Sequence, residues 1–312
     1  MPRFHRLRRR DLRALKIIAA SAAVLAALAA GAAALAAWMG ERKMQRIVDI
    51  RVVPVPFTRD PAAVALGRYL FESRGCGECH GADGGGRVMI NDPHGLYVKT
   101  PNITAGTGGV VTGYTEADWV RAIRHGVSPR GHALLIMPCE NYNRLNDGDF
   151  AAIVAFTRSL APVAGGGALV RMPLAVKALY GAGAIRDASE KIDHRRPPPA
   201  PVAVGPSVEH GGYVANMCLG CHGATLAGGR IAGTPPDWPP AANLTSGPGS
   251  VMPRYDTAEK FISMMRSGKR PDGSEVSKAM PFASLRKLND VDLNAMYAYL
   301  ASVAPGNAGV AR

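Results

Sequence analysis

Cys76-Gly77-Glu78-Cys79-His80 and, 142 residues further on, Cys218-Leu219-Gly220-Cys221-His222 are two copies of one five-residue pattern, and the chain around them repeats too. Gly81-Ala82 answers Gly223-Ala224, and Asn102-Ile103-Thr104 answers Asn243-Leu244-Thr245. Thr115 to Gly126 (TEADWVRAIRHG) aligns with Thr257 to Gly268 (TAEKFISMMRSG), and Met137-Pro138 with Met280-Pro281. RLNDGDFAAIVAFTRSLAP, from Arg144, aligns with KLNDVDLNAMYAYLASVAP, from Lys287. The offset drifts only between 141 and 143, so the halves are two copies of one module of roughly 100 residues.

The Cys-x-x-Cys-His pattern predicts covalent haem attachment. Its two thiols add across the vinyl groups of the porphyrin, and the adjacent His reaches the iron. Cys76, Cys79, Cys218 and Cys221 are therefore the attachment residues, with His80 and His222 as iron ligands. A zinc site would need further Cys or His at regular spacing, and a thioredoxin-like redox pair would need a βαβ pattern around it. Neither accompanies these motifs. Each iron needs a second axial ligand, and Met137 and Met280, each followed by Pro, stand at matching distances beyond the histidines. A proline fixes φ and removes a backbone donor, which suits an irregular ligand loop. Met89, Met172, Met217, Met252, Met264 and Met265 have no such pairing and read as packing residues. His94, His125, His132 and His210 are possible substitutes as the second ligand, but they lack counterparts in the other half and read by default as surface residues. Cys139 stands two residues after Met137, where the second copy has Phe282. Three readings fit it: a small buried apolar residue, a thiolate iron ligand, or an intermolecular disulfide.

The coarse reading within each module is helical. Helices are expected over Pro61–Glu72 and Ser207–Asn216, over the Thr115 and Thr257 segments with a Gly stop, and after Asn146 and Asn289. Those two asparagines are N-caps followed three residues later by Asp. No segment alternates like a strand. Residues 164–206 form a Gly/Pro-rich linker whose Pro197-Pro198-Pro199-Ala200-Pro201 run is an extended spacer. Its apolar stretch, Leu169 to Ala184, is expected to be a helix that packs either between the modules or against one of them.

Ile17 to Met39 carries no charge, which is long enough to cross a hydrocarbon core of about 30 Å. Residues 1–16 hold Arg3, Arg6, Arg8, Arg9, Arg10, Arg13 and Lys16 against Asp11, nearly half of the +13 formal charge. The positive-inside rule then places residues 1–16 in the cytoplasm and everything after Gly40 outside it. Residues 17–39 are an uncleaved transmembrane anchor or, given small-residue patterns such as Ala34-Leu35-Ala36, a cleaved signal peptide. No basic–aromatic interleaving points to nucleic acid. Aromatics make up only 6% of the chain, so the cores need other filling, and a porphyrin supplies it.

Both halves resemble class I cytochrome c domains: a first helix, CxxCH, an Asn-Ile/Leu-Thr loop, a Met-Pro loop and a closing helix. The resemblance covers 57–163 and 207–305, with the N-terminal transmembrane helix before them, and implies an all-α fold of two tandem domains. It implies that Asn102 and Asn243 lie near the haem edge, and that Tyr114, Trp119, Tyr255 and Phe261 line the crevice. Arg130 and Arg270 would face either a propionate or solvent. The chain is also similar to cytochrome c subunits of membrane-bound bacterial dehydrogenases. That likeness implies two haem c groups relaying single electrons on the periplasmic face of the inner membrane. The donor would be a dehydrogenase catalytic subunit, and the acceptor a quinone-linked complex or a terminal oxidase. A Met–His pair fills both axial positions, so an electron carrier is expected rather than an enzyme. The rivals are a di-haem peroxidase, a thiosulfate-type oxidoreductase, and a free-standing donor to a terminal oxidase.

Overall fold

The computed structural model describes residues 9–231, 234 and 238–306; Arg3, Arg6 and Arg8 of the basic amino-terminal segment lie outside them. The chain divides into two compact units, Met1–Gln45 with Met172–Ile185, and Arg46–Arg171 with Arg186–Arg312.

The first unit is built on α1 (Arg9–Met44), a helix whose segment Leu12–Met44 is long and apolar enough to cross a membrane. Its large apolar side chains are exposed along its length, from Ile17 and Ile18 to Trp38 and Met39. The 36 residues of α1 extend about 54 Å at 1.5 Å each, well beyond the span of the charge-free stretch.

The second unit holds both halves of the repeat. The first half contains α2 (Pro61–Ser73), α3 (Cys76–His80), β1 (Val88–Asn91), β2 (Tyr97–Lys99), α4 (Glu116–His125), α5 (Cys139–Tyr142) and α6 (Asp147–Ser159). The segment between the halves carries β3 (Leu169–Arg171), α7 (Leu174–Gly181) and α8 (Ala188–Lys191). The second half contains α9 (Val208–Ala215), α10 (Leu219–His222), α11 (Ala258–Ser267), α12 (Phe282–Leu285) and α13 (Asp290–Ser302). The unit is mostly helical, and the helix starts follow the sequence. Thr115 closes a capping box with Asp118 at the head of α4, and Gly126 ends that helix at φ 66°. Asn146 and Asn289 each accept from the backbone N–H three residues on, capping α6 and α13.

In each half the first helix packs on the last, α2 on α6 and α9 on α13. The contact is backbone against backbone. A Cβ built on Gly67 would overlap the carbonyl of Ala152, and one built on Gly211 would overlap the carbonyl of Ala295 in the same way. Gly67→Ala and Gly211→Ala are therefore each expected to cost about 1–3 kcal/mol by overpacking. Denaturant unfolding checks this, and wild-type midpoints would contradict the close crossing. Two cores result. One gathers Leu70, Trp119, Val120, Phe150 and Ile153, the other Val214, Phe261, Leu288, Leu293 and Met296.

Two features depart from the sequence reading. Among the described residues there is a sheet after all: β1, β2 and β3 form an antiparallel three-stranded sheet, with Val98 opposite Val170. Strands of three or four residues are too short to show an alternating pattern. The linker's apolar stretch, expected as one helix over Leu169 to Ala184, holds the strand β3 and then the shorter helix α7. It supplies β3 to the first half, and its apolar helix α7 packs along α1.

The halves meet through a reciprocal contact. Tyr69 of α2 donates to Asp292 Oδ2 at 2.6 Å, and its hydroxyl accepts from Asn289 N at 3.2 Å. Tyr213 of α9 donates to Asp149 Oδ2 at 2.6 Å and accepts from Asn146 N at 3.2 Å. Each half thus caps the last helix of the other, as in an interface of two like surfaces. The symmetry breaks at Asp292, which also receives Arg74 at 2.9 Å and His210 Nε2 at 2.8 Å. All three side chains are buried. Burial raises the carboxyl, but Arg74, Tyr69 and His210 outweigh it and hold Asp292 below the usual carboxylate range.

Candidate haem sites

The CxxCH segment of the first half is the short helix α3, entered through Gly75 at φ 88°. His80 is held by its Nδ1, 3.0 Å from the carbonyl of Pro101, and His222 by its Nδ1, 2.8 Å from the carbonyl of Ala242. A carbonyl only accepts, so Nδ1 carries the proton in both rings and Nε2 is left with its lone pair. Burial, which outweighs the carbonyl contact, holds both imidazoles below the usual histidine value and keeps them neutral.

His80 opens onto a cavity of about 190 Å³ that is lined mainly by apolar groups. Cys76, Cys79 and His80 line it together with Met137, Pro138, Tyr114, Trp119 and Ile153. Tyr114 and Trp119 meet edge to face at 5.5 Å. In the second half Cys218, Met280 and Phe282 pack on the core that holds Tyr255 and Phe261, whose rings meet edge to face at 6.2 Å. Each half therefore offers two thiols, one neutral imidazole of fixed tautomer and a thioether beside an aromatic pair. That donor set fits a macrocycle attached through thioethers with an iron between nitrogen and sulfur. The alternatives fit less well. Among the described residues no group of three or more His, Cys, Asp or Glu could hold a metal ion. Burial first, then the neighbouring Cys79, push the Cys76 thiol up to about 12, and Cys218 behaves in the same way beside Cys221. A redox-active thiol is shifted the other way.

Other sequence candidates make contacts of their own. Asn102 and Asn243 act as loop pins: each accepts from the N–H two residues on, at 2.8 and 2.9 Å. Their amides donate to Val163 O at 2.8 Å and Gly306 O at 3.0 Å, tying the loop to the segment after the last helix. Cys139 has no exposed surface, and its Sγ–H donates to Ala122 O at 3.4 Å. Burial pushes its thiol up, and it lies outside the set lining the cavity, as a small packing residue would. Arg130 is exposed, and Arg270 donates to Ser274 Oγ. One wall of the first cavity escaped the sequence reading: Ala168 and Val170 of the linker line it beside Val98. Only the apolar run from Leu169 signalled it.

Two histidines read as surface residues are buried. His210 sits in the Asp292 cluster. His125 places its Nδ1 3.0 Å from Nδ1 of His194, whose Nε2 donates to Ser189 O at 2.8 Å. Burial first, then His194, Arg124 and Arg121, push His125 down to about 4. An unfolded histidine titrates near 6.5, so the unfolded chain binds the extra proton first as pH falls. The stability His125 contributes is complete above about pH 6.5 and is lost progressively toward pH 4. A melting series across that window should show the slope, and His125→Gln should flatten it; an unchanged slope would locate the effect elsewhere.

A CxxCH segment beside a first helix that packs on the last, sharing a cavity with a Met-Pro pair in the first half, defines a c-type cytochrome. More particularly, the chain belongs to the family described as cytochrome C oxidase, cbb3-type, subunit III, which matches residues 62–156 and 211–300. Membership implies covalently bound haem c. The chain is 27% identical over 282 residues to the fructose dehydrogenase cytochrome subunit of Gluconobacter japonicus, covering 80% of this chain and 54% of that one. It is 36% identical over 98 residues to the alcohol dehydrogenase (quinone) cytochrome c subunit of Gluconobacter oxydans, covering 30% of this chain and 20% of that one. A diheme cytochrome c-type protein of Cereibacter sphaeroides is 33% identical over 107 residues, with 31% and 36% covered. The chain thus spans about half the length of the fructose dehydrogenase relative and less of the other two.

Proposed function

We propose that this chain carries two haem c groups and passes single electrons from the catalytic subunit of a dehydrogenase toward the respiratory chain. Cys76, Cys79, His80 and Met137 hold one group, and Cys218, Cys221, His222 and Met280 the other. Residues 57–163 and 207–305 act as two cytochrome c domains, and α1 anchors them at the periplasmic face of the inner membrane. The observation that carries this reading is the duplicated histidine: both rings are turned by a backbone carbonyl so that a neutral Nε2 is free.

The haem iron supplies a one-electron couple. The protein keeps the imidazole neutral and oriented and lines the site with apolar groups, and Met137 or Met280 would supply the second ligand to the iron. With a histidine and a methionine as its two axial ligands, each iron would offer no place for peroxide or another substrate, which favours relay over catalysis. Transfer between the halves is supported by their contact. Glu78, inside the first CxxCH, accepts from Ser284 N of α12 at 2.7 Å, and Gly220, inside the second, donates to Asn141 Oδ1 of α5 at 3.1 Å. Each attachment segment therefore touches the loop beyond the other half's Met-Pro pair. The dehydrogenase partner is supported by the relatives named as dehydrogenase cytochrome subunits.

Haem-to-protein stoichiometry tests the reading. Two haems per chain are expected, and one after Cys76→Ser with Cys79→Ser. A single haem in the wild type, or a high-spin spectrum with peroxide turnover, would overturn it. Purification from mildly solubilised membranes should bring down a dehydrogenase; recovery of the cytochrome alone would favour a free-standing donor.

A further inference from the structure

We infer that α7 is a second membrane contact: it runs antiparallel along the carboxyl-terminal end of α1, with Leu174 and Leu179 in the boundary between headgroups and acyl chains. The inference rests on the reading of α1 as a retained membrane-spanning helix.

The segment MPLAVKALYGAGAI carries one charge, Lys177, and α1 neutralises it: Lys177 Nζ donates to Glu41 Oε2 at 2.6 Å. Lys43 Nζ lies 4.3 Å from the centre of the Tyr180 ring and donates to the Tyr180 carbonyl at 3.1 Å. The two backbones touch. A Cβ on Gly40 would overlap the carbonyl of Lys177, and one on Gly181 would overlap the carbonyl of Ala36. Ala36 and Gly40, small residues four apart on α1, meet Gly181 of α7, and small residues at the contact are the means by which helices approach closely in a membrane. This contact uses Ala36, Ala37 and Gly40 of α1, so cleavage of a signal near residue 37 would cut through it.

The one charge of α7 is thus paired on α1, while two of its apolar side chains, Leu174 and Leu179, are left bare. Leu174 is 66% exposed and Leu179 50%. These side chains belong to the same unit as the exposed Leu35, Trp38 and Met39 of α1, and that surface continues into Val24, Leu25 and Leu28 of the span. A tryptophan at the end of an apolar run, followed by Arg42 and Lys43, marks the headgroup level. Lipid is therefore the occupant. An apolar helix whose one charge is paired takes up such a boundary, and in water the same patch would promote association. The chain leaves the first half, returns to the anchor, and only then enters the second half.

Nitroxide labels at L174C and L179C of the full haem-loaded chain test this in vesicles of phosphatidylethanolamine and phosphatidylglycerol. The protein is kept reduced so that low-spin iron is diamagnetic. Cys139, with no exposed surface, does not take up label. L28C in mid-span and V204C, at a position 76% exposed outside the anchor unit, serve as references. The expected result is collision with oxygen favoured over a water-soluble nickel chelate at 174 and 179, as at 28, and the reverse at 204. Nickel-favoured collision at 174 and 179 with oxygen-favoured collision at 28 would overturn this inference and leave the anchor standing. Shielding of 174 and 179 from both probes would show a protein, such as a second copy, over the patch, and would also overturn it. Water-like behaviour at 28, or a chain that does not stay with the vesicles, would overturn the anchor reading and this inference with it.

Discussion

Met280→Ala is expected to abolish the weak far-red sulfur-to-iron band of one oxidised haem and to lower that haem's potential, leaving the other unchanged. Met137→Ala should do the same for the first half. A thioether opposite an imidazole favours reduced iron, and axial ligands command a range of about 0.8 V, so a fall of roughly 0.1 V or more is expected for the altered site. The cavity lining supports the reading, because Met137 is the thioether that shares the pocket with His80. The independence of the two sites supplies the sharper test. Each half has its own core and its own carbonyl-fixed histidine, so spectroelectrochemical titration should show one wave moving and one staying. An unshifted potential and an intact band in either variant would remove that methionine from the iron.

Asp292→Asn is expected to destabilise the protein by about 3–5 kcal/mol, because it strands the buried Arg74 guanidinium without its counter-charge. Arg74 and Asp292 have side chains only 7% and 4% exposed, so water cannot take over the role of the lost carboxylate. Asp149→Asn, at the matching position of the first half, weakens one hydrogen bond from Tyr213 and should cost about 0.5–1.5 kcal/mol. Denaturant unfolding of the two variants side by side is the measurement. Equal losses would show that the symmetric tyrosine contacts, and not the Arg74–Asp292–His210 cluster, hold the halves together.

Much of this protein was legible because its chemistry is local. Two thiols and a histidine within five residues, or an asparagine before an amphipathic run, act through atoms a turn or less apart, and the duplication distinguished Met137 and Met280 from ten other methionines. The asparagines that open the last helices were legible as caps, but the aspartates three residues on were not legible as the acceptors of Tyr69 and Tyr213. That contact joins residues 223 and 64 positions apart. The buried His210 and His125 were missed for the same reason, since a histidine with no partner nearby in sequence reads as solvated until the fold supplies Asp292 or His194.

The sequence by itself determined the repeat, the candidate ligand sets, the helix caps and the apolar amino-terminal helix, all of them properties of short stretches of chain. Only the tertiary structure decided that the linker closes a wall of the first cavity with β3, that α7 lies on α1, and that one aspartate of a symmetric pair carries a buried charge cluster. Those outcomes depend on which surfaces remain unsatisfied after each half has folded, and that quantity does not exist before the backbone is placed.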